Sequence, residues 1–126
     1  MASKQILIVD DDEQMQYLLS ELLRHRGFRV ICRSDIPSAL VELRNTRPDL
    51  VLLDLCMSGS DGTCFLKNAA HYCPEGFSKP PIIVLSVFRD KEIVDYALEN
   101  GATDYMTKPF DPNKLLRRVE DVLSAN

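Results

Sequence analysis

Ile6-Leu7-Ile8-Val9-Asp10-Asp11-Asp12: four apolar residues run without a break into three carboxylates. Two more runs share the form. Leu50-Val51-Leu52-Leu53 ends on Asp54, and Ile82-Ile83-Val84-Leu85 ends on Ser86. An uninterrupted apolar run of this length fits a strand covered on both faces, the habit of a parallel sheet. Two weaker strands complete the set: Phe28 to Cys32, where Phe28, Val30 and Cys32 alternate as on an edge strand, and Thr103 to Thr107, which leads to Lys108.

Helical patterns separate the strands. Met15, Leu18, Leu19, Leu22 and Leu23 recur on one face, with Gly27 as the C-cap. Ile36, Ala39, Leu40 and Leu43 mark a second helix that stops before Pro48. Phe65, Leu66 and Ala69 mark a third, ending near Pro74. Ile93, Val94, Ala97 and Leu98 mark a fourth, ending at Gly101. Leu115, Leu116, Val119, Val122 and Leu123 mark a fifth, entered through Asp111-Pro112. Strand and helix thus alternate five times, which predicts an α/β fold: a doubly wound parallel sheet with right-handed crossovers and helices on both faces. Tyr72 to Pro81, with Pro74, Gly76, Pro80 and Pro81, is the longest loop. With no linker or repeat, residues 1–126 read as a single domain.

Composition narrows the function. The chain carries 15 basic and 19 acidic residues, a formal net charge of −4. Its largest basic group, Lys114, Arg117 and Arg118, is followed at once by Glu120 and Asp121. This is no footprint for nucleic acid, whose phosphates call for clustered cations. There is no apolar run long enough for a membrane span and no signal peptide, so a cytoplasmic location is expected. Cys32, Cys56, Cys64 and Cys73 lack CxxC spacing and have only His25 and His71 as companions. They read as free thiols, some of them small core residues, rather than a zinc site. Both histidines read as solvated.

In a parallel sheet the carboxyl ends of all strands share one edge, and open α/β sheets bind ligands there. Asp10, Asp11, Asp54, Ser86 and Lys108 are therefore expected in one pocket. Three adjacent carboxylates repel and need a cation. Oxygen ligation favours a hard ion, Mg²⁺ or Mn²⁺. Lys108 and Ser86 can hold phosphoryl oxygens, leaving one carboxylate as a nucleophile toward phosphorus. No GxxxxGK[ST] cradle for a nucleotide occurs. The set describes phosphoryl transfer.

Five segments, Ile8-Val9-Asp10-Asp11-Asp12, Asp49 to Leu55, Gly59-Ser60-Asp61-Gly62, Ile83-Val84-Leu85-Ser86 and Gly101 to Phe110, together resemble the response-regulator receiver family, in order and spacing, over essentially the whole chain. The resemblance implies a flavodoxin-like sheet of strand order 2-1-3-4-5 and a single receiver domain. It implies Asp54 as phosphoacceptor from a sensor histidine kinase. Mg²⁺ would be held by Asp10, Asp11, Asp54 and the backbone carbonyl of Cys56, and the phosphoryl group by Ser86 and Lys108. Lys108-Pro109 would be a cis peptide. Ser86 and Tyr105 would form the switch, with Tyr105 swinging inward as Ser86 moves. The face of the fourth helix, fifth strand and fifth helix would then meet an output domain, a downstream protein or a second copy, with Asp104 and Arg118 as surface contacts.

The chain departs from the family pattern at four places. Ser58 replaces the usual Pro, and Val87 follows Ser86 where a small residue is common. Cys56 and Phe88 occupy positions two beyond Asp54 and Ser86 that often carry polar groups. Cys56, Val87 and Phe88 are therefore expected to tune dephosphorylation, toward a longer-lived phosphorylated form. Plainer readings stand beside the sharper ones. Asp12 can be a helix N-cap, Tyr105 a packed aromatic, Ser86 an ordinary strand-end hydroxyl, and Gly59 and Gly62 turn residues.

Two other functions compete with the non-enzymatic switch. A haloacid-dehalogenase-type phosphatase would use Asp10 in a DxDx[TV] motif, but Gln14 stands where Thr or Val belongs. A phosphorylation-independent interaction module would not need Asp10, Asp11, Asp54, Ser86 and Lys108 together.

Overall fold

The computed structural model describes residues 3–57 and 60–125. Ser58 and Gly59 lie outside the described residues. Five parallel strands form the central sheet: β1 (Gln5–Val9), β2 (Arg29–Arg33), β3 (Leu50–Asp54), β4 (Ile82–Ser86) and β5 (Asp104–Thr107). Their spatial order is β2-β1-β3-β4-β5, the order the resemblance implied. Five helices follow them in turn: α1 (Glu13–Arg24), α2 (Ile36–Thr46), α3 (Gly62–Tyr72), α4 (Lys91–Glu99) and α5 (Pro112–Ser124).

The pleat explains the continuous apolar runs. Ile6 and Ile8 of β1, with Leu50 and Leu52 of β3 and Ile83 and Leu85 of β4, face a core built with Leu19 and Leu23 of α1 and Leu115, Leu116 and Val119 of α5. The alternate residues Leu7, Val9, Val51, Leu53, Ile82 and Val84 face a second core with Ile36, Leu40 and Leu43 of α2, Phe65 and Leu66 of α3, and Ala97 of α4. Both sides of the three central strands are thus removed from water. On the edge, β2 is only partly buried, as its alternation predicted, although it begins at Arg29 rather than Phe28.

Helix entries are set by Asp side chains that accept backbone N–H bonds from the first turn. Asp12, Asp35, Asp61 and Asp111 do this for α1, α2, α3 and α5. The plain reading of Asp12 as an N-cap therefore holds. Asp90, at the start of α4, makes no such bond, and α4 buries only Ala97. It is the least anchored of the five helices.

Several details differ from the sequence reading. Leu18 and Leu98, assigned to apolar helix faces, are exposed, because the sheet covers a narrower stripe of α1 and α4 than the spacing suggested. The C-cap positions are His25 and Asn100. Gly27 and Gly101 lie just beyond them with φ of +88° and +112°, where the chain reverses in a left-handed conformation natural to glycine. No described cysteine is fully buried: Cys32 and Cys73 are half-buried, Cys56 and Cys64 exposed, and all four are free thiols. Both histidines are exposed.

One element was not anticipated. Immediately after β3, Cys56–Met57 pairs antiparallel with Ser60–Asp61. This small ribbon folds the chain back so that Gly62 starts α3 against the end of β3.

Candidate functional site

The acidic ends of β1 and β3 and the basic end of β5 meet at one edge of the sheet. Asp10, Asp11 and Asp54 each offer a carboxylate oxygen, and these oxygens lie within 4.8 Å of one another. Asp10 is 2% exposed and Asp54 7% exposed, so their mutual repulsion is poorly screened by water. Lys108 spans the pair: its Nζ is 3.0 Å from Asp10 Oδ2 and 3.6 Å from Asp54 Oδ2. Its single ammonium is shared between two carboxylates. Burial pushes the Asp54 carboxyl above the usual carboxylate range. The Cys56 N–H and Lys108 oppose that shift, and Asp10 reinforces it. The donor set is oxygen only and compact, and so fits a hard divalent cation.

Asp10 and Asp54 are fixed differently. Asp10 Oδ1 accepts the Asp12 N–H at 2.9 Å, and Oδ2 accepts from Lys108. Its N–H donates to the Arg33 carbonyl at 3.1 Å. Both oxygens of Asp10 are thus engaged. Asp54 Oδ1 accepts the Cys56 N–H at 3.0 Å, while the longer Lys108 approach leaves Oδ2 the freer atom. Cys56 itself is exposed.

Ser86 is fully buried at the end of β4. Its Oγ accepts the Phe88 N–H at 3.1 Å, which leaves the hydroxyl hydrogen free to donate. The carbonyl of the same Phe88 accepts the Tyr105 hydroxyl at 2.8 Å. One residue of the loop after β4 therefore links Ser86 to Tyr105. Tyr105 is half-buried and packs against the core between the sheet and α2, α3 and α4. Tyr105 is thus a packed aromatic whose hydroxyl is also bonded to this loop. Val87 is 59% exposed and Phe88 39% exposed. The Lys108-Pro109 peptide is cis, as the resemblance implied.

Two contributors were not legible in the sequence. Gly62, read as a turn residue, is held by contact instead. A Cβ there would lie 2.6 Å from Leu55 Cα and 2.7 Å from the Asp54 carbonyl oxygen, so its absence lets α3 start directly against the segment that carries Asp54. Gln16, on α1, donates from its side chain to the Asp10 carbonyl and to Ser34 Oγ. Its position six residues after Asp10 gave no signal, since a polar residue on a helix is ordinarily solvated.

The fold and this constellation define a phosphoacceptor switch rather than a nucleotide-binding α/β domain. Residues 6–120 match the model of the response regulator receiver domain, and the chain belongs to that family, the phosphorylated signalling switches of two-component systems. It is 39% identical over 125 residues to the DNA-binding response regulator MtrA of Mycobacterium tuberculosis, covering 98% of this chain and 52% of that protein. It is 33% identical over 122 residues to the phosphate regulon transcriptional regulatory protein PhoB of Escherichia coli, covering 96% and 52%. The chain thus spans about half the length of these relatives. Among solved structures, a CheY-like receiver domain protein from Methanospirillum hungatei superposes with a TM-score of 0.88 at 27% identity, covering 98% of this chain and 96% of that one. The BeF₃-activated receiver domain of RstA from Klebsiella pneumoniae superposes with a TM-score of 0.83 at 28% identity, covering 95% and 98%.

Proposed function

We propose that Asp54 is the phosphoacceptor of this switch and that Asp10, Asp11, Asp54 and the Cys56 carbonyl hold Mg²⁺, with Mn²⁺ as a substitute. The observation that carries this reading is the meeting of three carboxylates and Lys108 at the ends of β1, β3 and β5. An Asp54 oxygen forms the bond to phosphorus as the phosphorus–nitrogen bond of a kinase phosphohistidine breaks and the imidazole leaves with the electron pair. Lys108 Nζ and Ser86 Oγ donate to the phosphoryl oxygens. When bound, the divalent ion supplies charge neutralisation between the incoming phosphoryl group and the carboxylates. Asp10 is a poor nucleophile because both its oxygens already accept hydrogen bonds, which argues against the phosphatase reading.

The domain promotes its own phosphorylation and slow dephosphorylation but does not turn over a separate substrate. Ser86, drawn to the phosphoryl group, releases the Phe88 N–H. The Phe88 carbonyl then shifts its hold on Tyr105, which favours the inward rotamer. Movement spreads to α4, whose start lacks a side-chain cap and which buries a single residue. The face of α4, β5 and α5 is thereby remodelled toward an output domain, a downstream protein or a second copy. The Asp104–Arg118 ion pair lies on that face. No helix among the described residues is long and apolar enough to cross a membrane, and the site of action is the cytoplasm. With this charge balance, the domain does not contact nucleic acid directly.

Incubation with a small acyl phosphate, such as acetyl phosphate, tests the assignment. Stoichiometric labelling is expected with Mg²⁺, little with chelator, and none for Asp54→Asn. Sustained labelling of the Asn variant would overturn it.

A further inference from the structure

We infer that Gln16 is a positioning residue for the divalent-cation site, holding the Asp10–Asp11 peptide of the segment that carries two of its proposed ligands. This rests on the cation-binding reading above and extends it to a residue outside the ligand set.

The geometry is specific. The Gln16 carboxamide nitrogen donates to the Asp10 backbone carbonyl and, at 3.0 Å, to Ser34 Oγ. A carbonyl only accepts, so the nitrogen must face it, and both amide hydrogens are then used. The backbone N–H of Gln16 also bonds the Asp12 carbonyl at 3.0 Å. This one residue therefore clamps the loop of acidic residues to α1 and, through Ser34, to the loop after β2. A peptide unit is planar. Fixing the Asp10 oxygen fixes the plane that ends at the Asp11 Cα, and so narrows the conformations open to the segment that carries both carboxylates. Every other polar atom of Asp10 is already held, by Arg33, Asp12 and Lys108. The Gln16 bond completes the set. Asp11 is half-exposed at the rim of the cluster. It is less buried than Asp10 and Asp54.

The test uses the full chain. Mg²⁺ affinity is measured by titration of backbone amide chemical shifts for the parent, Gln16→Leu and Gln16→Arg, alongside melting temperature in chelator. Groups that orient metal ligands typically contribute 10- to 100-fold to affinity, and Asp11 is one ligand among several. Gln16→Leu, which keeps bulk but removes the donor, is expected to weaken Mg²⁺ binding about tenfold. Gln16→Arg, which keeps a donor, is expected to recover most of that loss. A purely structural role would lower the melting temperature in both variants and leave affinity within twofold of the parent, and that result would overturn the inference. In the unmutated protein, the Gln16 carboxamide protons are expected to exchange slowly and shift on Mg²⁺ addition. Freely exchanging, unshifted protons would overturn the inference even if the variants failed to fold. A parent that binds no Mg²⁺ would sink the cation site itself, whereas a binding parent with an unaffected Leu variant would sink only the role of Gln16.

Discussion

Replacing Asp54 by Asn should stabilise the metal-free protein, although it removes the proposed phosphoacceptor. At an effective dielectric near 20, like charges 4.8 Å apart, the upper limit of separation within the carboxylate cluster, repel by about 3.5 kcal/mol. Asp54 faces two such neighbours, Asp10 and Asp11. The attraction it forfeits is to Lys108 at 3.6 Å, worth about 4.6 kcal/mol on the same scale. The difference favours the neutral side chain by about 2 kcal/mol. Relief of the burial that already raises the Asp54 carboxyl acts in the same direction. Asn keeps an oxygen for the Cys56 N–H, so the loop geometry should survive. For a domain of this size about 2 kcal/mol corresponds to a melting temperature higher by roughly 4–8 °C. The assay is thermal unfolding in chelator at pH 7. A pKa raised on folding contributes stability at low pH that is lost as pH rises through the folded value. The advantage of the variant should therefore shrink as pH falls toward the ordinary carboxylate range. It should also shrink or reverse in saturating Mg²⁺, which the parent binds better. An Asn variant that melts at or below the parent temperature in chelator at pH 7 would refute the electrostatic reasoning.

Gly62→Ala should lose about 1–3 kcal/mol of stability by overpacking against Leu55 Cα and the Asp54 carbonyl; denaturant unfolding reads it, and an unchanged midpoint would count against the close approach. The phosphorylated form should be long-lived, because neither exposed Phe88 nor Cys56 offers a strong hydrogen bond to orient a water in line with phosphorus. Decay of the phospho-protein in Mg²⁺ should accelerate in Phe88→Glu and Cys56→Asn, and a parent that decays as fast as both would contradict this. Beryllofluoride should alter amide exchange in α4 and β5 of the parent. In Ser86→Ala the change should stay near Asp54, since the link through Phe88 to Tyr105 is cut; an undiminished response in α4 would show that the link is not needed.

Burial and chain order leave marks that a sequence can carry. Residues 6–9, 50–53 and 82–85 are apolar without interruption because both faces of β1, β3 and β4 are covered, and that pattern is visible in one dimension. Asp10, Asp54 and Ser86 were legible because each stands where an apolar run ends, and Lys108 because it follows the weaker fifth strand, whose end lies at the same edge of a parallel sheet. Contacts between backbones were not legible. Gly62 looks like any turn glycine until Leu55 is seen beside it, and the ribbon of Cys56–Met57 with Ser60–Asp61 is too short to carry a period. Gln16 was missed because its partner is a carbonyl, which every residue has. The helix faces were over-read at Leu18 and Leu98, where apolar spacing continues past the area the sheet can cover.

The central claim is that the phosphoryl group is carried by Asp54. Borohydride reduction of the acyl phosphate, followed by peptide mass spectrometry, marks the modified residue directly as homoserine. The protein phosphorylated in Mg²⁺ should give homoserine at position 54 alone. Homoserine at position 10, with position 54 unmodified, would contradict the account and move the nucleophile to β1.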